Sequence, residues 1–259
     1  MDKEKLKEIT SNREFIEGIY NYCDRWCERC SMTTRCSLFA IEKEETASRE
    51  LDMSNEAYWE QIGESFKLAI ELLYDFAEEQ GIDLDAIPED EELIQKEEEA
   101  REAAKNHLAT QKSHTYAFQV NDWFKENKAN IDLKTEEWET ISNLGLEKKP
   151  MEEAKDVRNT FEIIKWYQHQ IHVKIMRALQ GKLNPFGVEG SVQNDANGSA
   201  KVALLGISRS MAAWGKLLNH FPESEESIFS LLVLLEQTKT HLEKAFPQAE
   251  DFLRPGFDD

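Results

Sequence analysis

All four cysteines of this 259-residue chain lie in one short segment near its start, "CDRWCERCSMTTRC". They are Cys23, Cys27, Cys30 and Cys36. Thiolates are soft ligands, and four of them complete the tetrahedral coordination of a structural Zn²⁺ or hold the four irons of a [4Fe–4S] cluster. In a reducing compartment, clustered cysteines bind metal or do redox chemistry more often than they form disulfides. The segment therefore predicts a metal centre with these four residues as its ligands.

The spacing C-x3-C-x2-C-x5-C helps to choose between the two kinds of centre. On a continuous α-helix, Cys23 and Cys30 would lie ~10 Å apart along the axis, at ~1.5 Å per residue. The thiolates of one zinc lie only ~4 Å from each other, because Zn–S bonds are ~2.3 Å long. A cubane spreads its ligands more widely, so the spacing favours an iron–sulfur cluster over zinc, with unliganded or redox-active thiols as a third interpretation. For either metal, we expect the backbone to kink or loop between residues 24 and 36.

Two parts of this pattern resemble known cluster-binding families. The C-x3-C-x2-C spacing of residues 23, 27 and 30 is similar to that of radical-SAM enzymes, whose fourth iron binds S-adenosylmethionine. The C-x2-C-x5-C spacing of residues 27, 30 and 36 resembles the cluster-binding end of iron–sulfur nucleases of recombination and CRISPR adaptation, and the auxiliary-cluster domains of radical-SAM enzymes. Both resemblances cover only this segment, and they imply cluster binding without a particular fold or reaction. Because four thiolates leave no position open for a substrate, we expect a structural, redox or sensory centre.

A second group of polar residues leads to an alternative function. His169 and His172 lie one helical turn apart in "KWYQHQIHVK", and Arg158, Glu162 and Lys165 continue a polar stripe on the same predicted helix. A stripe of this kind inside a bundle would form a second site, built from His and carboxylate side chains, in a helical-bundle enzyme. The same residues would also fit a satisfied polar network between helices.

The charge of the chain leads to a third interpretation. Its formal net charge is −20, with a dense acidic run in "EDEELIQKEEE". Such a surface repels phosphate backbones, which argues against nucleic-acid binding. The acidic helix predicted over 89–105 would instead dock a basic protein partner.

The elements that must position these residues are predicted to be helical. Gly and Pro are scarce, at eleven and six residues, and apolar residues recur every three or four positions with no sustained alternation. We expect an all-α bundle of six to eight helices in a single domain, 1–259, with a Cys-rich metal-binding segment, 12–40, docked on it. Helices are predicted at about 12 into the Cys segment, directly after the cysteines in "SLFAIEKEETASREL", and at 55–80, 88–128, 135–144, 150–181, 199–220 and 224–246, followed by a loose tail.

The apolar runs of the sequence are relevant to the cellular location of the protein. Its start has no apolar region of the signal-peptide kind, and its longest apolar run, 228–236, is too short to span a bilayer. The sequence therefore predicts a cytoplasmic protein without membrane contact.

Overall fold

The computed structural model describes residues 3–46, 56–84, 90–144, 149–183 and 191–258. Within these ranges the chain forms nine α-helices and no strand, so the all-α class is confirmed and the predicted count of six to eight helices is wrong. None of the described helices combines the length and the apolar character needed to cross a membrane. The helices are α1 (Lys3–Ser11), α2 (Ser37–Thr46), α3 (Glu56–Glu79), α4 (Glu91–Asn106), α5 (Leu108–Glu126), α6 (Lys128–Asn143), α7 (Lys149–Leu183), α8 (Asp195–Leu217) and α9 (Glu225–Ala245).

One additional helix arises where a single long helix was predicted over 88–128, because the structure has α4 and α5 there. The chain leaves the helix at His107, whose backbone is extended (φ −69°, ψ 140°) and whose ring nitrogen accepts a hydrogen bond from the Ala109 amide at 3.2 Å. His107 therefore caps the start of α5, a role that Ser, Thr, Asp and Asn usually fill. A second break falls at Asn127, between α5 and α6.

The contacts divide the chain into two compact units. The first contains Met1–Asn21, Arg25–Glu92 and Pro255–Asp259, and the second contains Tyr22–Asp24 and Leu93–Arg254. The units are defined by their internal packing, and the single domain expected from the sequence stays a prediction.

In the first unit, the helix predicted from residue 12 into the Cys segment is wrong. Helix α1 ends at Ser11, and the Asn12 side chain then accepts a hydrogen bond from the Glu14 amide at 2.9 Å. This Asx turn offers the backbone an alternative to the helix. Gly18 follows with φ +71°, a left-handed conformation that glycine adopts without strain. The chain from 12 to 36 therefore runs in turns and short 3₁₀ segments.

The second unit is built around α7 and α8, which pack along each other. Small residues on α8, including Ala203, Gly206 and Ser210, are buried and allow this close approach. A Cβ atom on Gly206 would come within 3.0 Å of the Tyr167 ring and 3.2 Å of the Ile171 side chain. The absence of a side chain at Gly206 therefore lets α7 and α8 pack closely at this point.

Aromatic side chains fill the core between α5, α7 and α8. The Trp123 and Trp214 rings meet edge to face with centroids 4.9 Å apart, and Phe221 packs against Trp123 at 5.9 Å. Such pairs contribute about 0.5–1.5 kcal/mol each beyond the area they bury. The Trp214 indole donates a hydrogen bond to the Tyr116 hydroxyl at 3.0 Å, and burial raises the pKa of Tyr116 to about 12.

The C-terminal segment is held in place, so the prediction of a loose tail is wrong. Lys201 of α8 is 9% exposed, and its ammonium donates hydrogen bonds to the carbonyls of Glu250 (3.1 Å) and Phe252 (2.7 Å). The Phe252 ring packs against Tyr22, with centroids 4.7 Å apart. A buried lysine thus satisfies two backbone carbonyls beyond α9.

The packing at the start of α8 predicts opposite effects for two glycines of that helix. A Cβ at Gly198 would lie 2.5 Å from the Tyr22 ring, whereas a Cβ at Gly215 would meet nothing within 4 Å. We expect Gly198→Ala to lower the free energy of unfolding by about 1–3 kcal/mol through overpacking. Gly215→Ala should raise it by up to about 1 kcal/mol through helix propensity. Urea unfolding followed by circular dichroism measures both; equal effects would contradict the packing described here.

Candidate metal-binding segment

Short turns position three of the four cysteines in the first unit. Cys27 opens a 3₁₀ turn that closes when the Cys30 amide donates to the Cys27 carbonyl at 3.2 Å. A second turn, Thr33–Arg35, ends when the Cys36 amide donates to the Thr33 carbonyl at 3.4 Å. The backbone between 24 and 36 therefore runs in loops and short 3₁₀ turns, as the spacing of the cysteines predicts.

Two of the sulfur-bearing residues have defined backbone surroundings. The Met32 amide donates a hydrogen bond to the Cys30 sulfur, with 3.3 Å between nitrogen and sulfur. Cys36 directly precedes the first residue of α2.

The turns are tied to the rest of the first unit by the backbone and by apolar contacts. The Ile16 amide donates to the Arg35 carbonyl at 2.9 Å. Ile19 is 1% exposed, and the chain at Gly256, with φ +73°, runs so close that a Cβ there would lie 2.6 Å from Ile16. These contacts fix the path of the chain immediately before and after the cysteine turns.

Two of the three arginines in the segment make structural contacts. Arg25 adopts φ 56°, unusual for a residue with a side chain, and its guanidinium contacts the Glu42 carboxylate at 2.7 Å. Arg29 stacks over the Trp26 ring at 3.9 Å from its centroid. The Arg25 pair links the chain just before the first turn to α2, whereas the Arg29 contact is local.

The backbone beside Cys23 is anchored in the second unit, through Asp24. The Asp24 carbonyl accepts hydrogen bonds from the Trp166 indole (2.8 Å) and the Gln170 amide (2.5 Å), both on α7. The Asp24 carboxylate accepts from the Tyr167 hydroxyl at 2.6 Å. Residues on one face of α7 thus bind both polar groups of a single residue next to Cys23.

The Asp24 carboxylate also pairs with a guanidinium from the neighbouring helix. Arg209 of α8 contacts both the Asp24 carboxylate and the Tyr167 hydroxyl. Burial, reinforced by the Asp24 hydrogen bond, raises the pKa of Tyr167 to about 12, so Tyr167 stays a hydrogen-bond donor at neutral pH. The carboxylate therefore has a phenol and a guanidinium as partners.

The residue before Cys23 is anchored as well. The Tyr22 ring packs on Phe252, and its hydroxyl is hydrogen-bonded to the Asp195 carboxylate. Burial and this neighbouring carboxylate raise the pKa of Tyr22. Asp195 in turn binds Arg177 through two nitrogens, at 3.0 and 2.5 Å. Sequence reasoning missed Tyr22 and Asp24, which flank Cys23 directly.

The four predicted ligands are all partly exposed, and none of them forms a disulfide. Cys27, Cys30 and Cys36 belong to the first unit and Cys23 to the second. Among the residues that the structure describes, no three His, Cys, Asp or Glu side chains are arranged to hold a metal ion. The metal centre therefore stays a prediction.

Of the two histidines of the second predicted site, one takes part in polar contacts between helices. His172 of α7 lies 3.1 Å from the Ser113 hydroxyl of α5, which itself donates to the Thr110 carbonyl at 2.9 Å. The His114 ring lies 5.5 Å from the His172 ring, and His169 is exposed. Burial, followed by the neighbouring His114, lowers the pKa of His172. Because the serine hydroxyl is already engaged, these contacts match the satisfied polar network.

The acidic helix predicted over 89–105 corresponds to α4. Its acidic side chains are exposed, while Ala100 and Ala104 are buried. A cavity of about 540 Å³ beside it is lined by both acidic and basic groups, among them Glu97, Arg101 and Arg177. The acidic side chains are exposed, and the docking of a basic partner on them stays a prediction.

Comparison of the chain with protein families, with curated proteins and with solved structures finds no match. Its function is therefore argued from its own residues.

The anchoring of Asp24 predicts a large effect of its removal. Its carboxylate is 26% exposed and binds Tyr167 and Arg209, so Asp24→Ala should lower the free energy of unfolding by about 1.5–3 kcal/mol. The matched control is Asp156→Ala, because Asp156 forms an exposed pair with Lys216 at 3.2 Å and should contribute under about 1 kcal/mol. Chemical denaturation compares them, and equal losses would refute the anchoring role.

The lowered pKa of His172 predicts acid sensitivity of the α5–α7 contact. The unfolded chain binds a proton at His172 near pH 6.5, whereas the folded chain resists it, so the unfolding free energy should fall as pH drops through about 6.5. His172→Asn should weaken this dependence, leaving the part due to His107, whose pKa is also lowered by burial. His220→Asn, outside α5 and α7, is the control. Identical pH profiles for His172→Asn and the parent would contradict the assignment.

Proposed function

We propose that Cys23, Cys27, Cys30 and Cys36 together bind one metal centre, a [4Fe–4S] cluster in preference to Zn²⁺. The observation that carries the proposal is that every thiol of the chain lies in one segment built of turns rather than helix. Turns allow neighbouring cysteines to direct their sulfur atoms to a common point, which the helical spacing of residues 23 and 30 would prevent.

The electrostatics of the segment support a thiolate-bound cation. Four thiolates would add negative charge to a chain whose net charge is already −20, and the positive charge of Zn²⁺ or of an iron–sulfur core would offset it. In such a centre, the Met32 amide would donate a hydrogen bond to the Cys30 sulfur. Hydrogen bonds to sulfur are one of the ways in which proteins set the potential of iron–sulfur clusters.

A shared centre requires the four sulfur atoms to converge on one point. Each cysteine is partly exposed, so each side chain has room to rotate about its χ1 bond. The fourth ligand, Cys23, precedes Cys27 by four residues, which keeps it within reach along the chain. The hydrogen bonds from α7 to the Asp24 carbonyl fix the chain beside Cys23 within the second unit.

The role of such a centre follows from its complete set of protein ligands. With four thiolates there is no open position for a substrate, so the centre staples the segment or carries or senses electrons. A cytoplasmic location would keep the thiols reduced and available to the metal. The protein is thus proposed to be a metal-binding helical protein whose centre is structural, redox-active or sensory.

Metal analysis of anaerobically purified protein tests the proposal. We expect about four irons and four acid-labile sulfides per chain, with a brown colour that bleaches in air. Replacing any one of the four cysteines with Ser should lower the retained iron, because each thiolate is a ligand. Ser31→Ala, at an exposed position between Cys30 and Cys36, is the matched control and should retain the cluster.

The other outcomes separate the parts of the proposal. One zinc per chain without sulfide would keep the ligands and replace the cluster by the alternative metal. Protein that is folded but binds no metal, or whose metal survives Cys27→Ser and Cys30→Ser unchanged, would overturn the ligand assignment itself.

A further inference from the structure

The junction between α4 and α5 is closed by an imidazole ring. Helix α4 ends at Asn106 and α5 begins at Leu108, so His107 is the single residue between them. Its Nδ1 atom accepts a hydrogen bond from the Ala109 amide at 3.2 Å. The usual cap residues present an oxygen that accepts at any pH near neutrality, whereas an imidazole nitrogen accepts only while it carries no proton. The cap of α5 therefore depends on the neutral form of His107.

The direction of this hydrogen bond also fixes the tautomer of the ring. Because Nδ1 accepts, the single ring proton of neutral His107 lies on Nε2. Protonation would place a second hydrogen on Nδ1, so that two N–H groups would face each other across the 3.2 Å that now separate the nitrogens. The hydrogen bond would then be lost, and the ring would have to turn away from the start of α5.

The amide that His107 caps cannot easily find another partner. Ala109 is 0% exposed, and its amide belongs to the first turn of α5, where no earlier helical carbonyl is in position to accept from it. A buried backbone N–H without a partner costs free energy. Loss of the cap therefore favours opening of the first turn of α5, which lets water reach this amide.

The groups around the ring oppose a positive charge on it. Two such groups act on His107 from other helices, His241 of α9 and Lys182 of α7. The Lys182 ammonium is held in place, because it donates a hydrogen bond to the Ala245 carbonyl at 2.5 Å and lies 5.2 Å from the centre of the Phe246 ring. Burial, followed by His241 and Lys182, lowers the pKa of His107. The closed junction thus resists protonation.

Two other contacts near this junction do not depend on a proton in the same way. The Thr110 hydroxyl donates to the Ala104 carbonyl of α4 at 2.7 Å. One turn further along α5, the Ser113 hydroxyl donates to the Thr110 carbonyl, so the His172 ring donates to Ser113 through Nδ1 and can do so when charged. Of these contacts, acid breaks the His107 cap alone, which confines the opening to the start of α5.

We propose that His107 makes the α4–α5 junction a pH-sensitive hinge, whose cap on α5 is made at neutral pH and released when the ring is protonated. In the open junction, His107 binds a proton with the ordinary affinity of a histidine, near pH 6.5, whereas the closed junction resists it. The closed form is therefore stable above about pH 6.5, and the open form gains population as the pH falls below that value. None of the four cysteines takes part, so the hinge is independent of the metal centre.

Amide hydrogen exchange of the full chain, followed by NMR at pH 7.5 and 5.5 and corrected for intrinsic exchange, tests the hinge. The protection of the Ala109 amide should fall about three- to tenfold between the two pH values, as linkage to one histidine requires. At pH 5.5 it should also be lower than the protection of Ile207, in the core of α8. Unchanged protection of Ala109, or protection equal to that of Ile207 at pH 5.5, would overturn the proposal.

Matched variants separate the cap from other effects of acid. His107→Asn keeps an oxygen that can accept from the Ala109 amide but cannot be protonated, so the protection of this amide should vary little with pH. His107→Ala should lower the protection at both pH values. His220→Asn, outside α4 and α5, should keep the fall seen in the parent. The same fall in His107→Asn as in the parent would contradict the assignment to His107.

The ring itself can be followed in the parent protein, which keeps the test valid if a variant does not fold. The ¹⁵N shifts of His107 should show an unprotonated Nδ1 and a protonated Nε2 at pH 7.5. Titration of this ring should coincide with the loss of protection at Ala109. A ring that carries its proton on Nδ1 at pH 7.5, or that titrates without any change at Ala109, would refute the hinge.

Discussion

The position of the chain beside Cys23 depends on the hydrogen bonds of Asp24. Its carbonyl and its carboxylate are bound by α7 and by Arg209 of α8, so one residue fixes both the path and the orientation of the chain beside Cys23. Removing one partner of a hydrogen-bonded charge pair lowers the free energy of unfolding, because the other partner is left unsatisfied. Because the chain beside Cys23 is already ordered by these contacts, it would lose little further conformational entropy if the proposed centre formed.

Periodicity alone predicted the helices whose apolar residues recur regularly, and it located α3, α7, α8 and α9 close to their observed bounds. It did not predict the break at His107, because a histidine cap gives no recognised signal in the sequence. It placed a helix after residue 12, where the Asn12 side chain competes successfully for the backbone. The ordered C-terminal segment also escaped prediction, because its partner, Lys201, is an amino acid that normally lies in solvent.

Some features of the candidate site depend only on residues that are close together in the chain, whereas others depend on contacts with distant residues. The four cysteines and the loss of helix around them follow from residue type and spacing. The anchors Tyr22 and Asp24 do not, since their partners on α7 and α8 lie more than a hundred residues away in the chain. The polar stripe around His172 was visible in the sequence, but its contacts with Ser113 and His114 depend on how α5 packs against α7.

The central claim is that all four thiolates of the chain bind one metal centre. X-ray absorption at the metal edge of anaerobically purified protein tests it most directly, because it reports both the element and the atoms that surround it. The account predicts iron with a first shell of sulfur alone and a second shell of iron, or, for the alternative metal, zinc with sulfur ligands alone. A first shell dominated by nitrogen or oxygen, or folded protein that contains no metal, would contradict it.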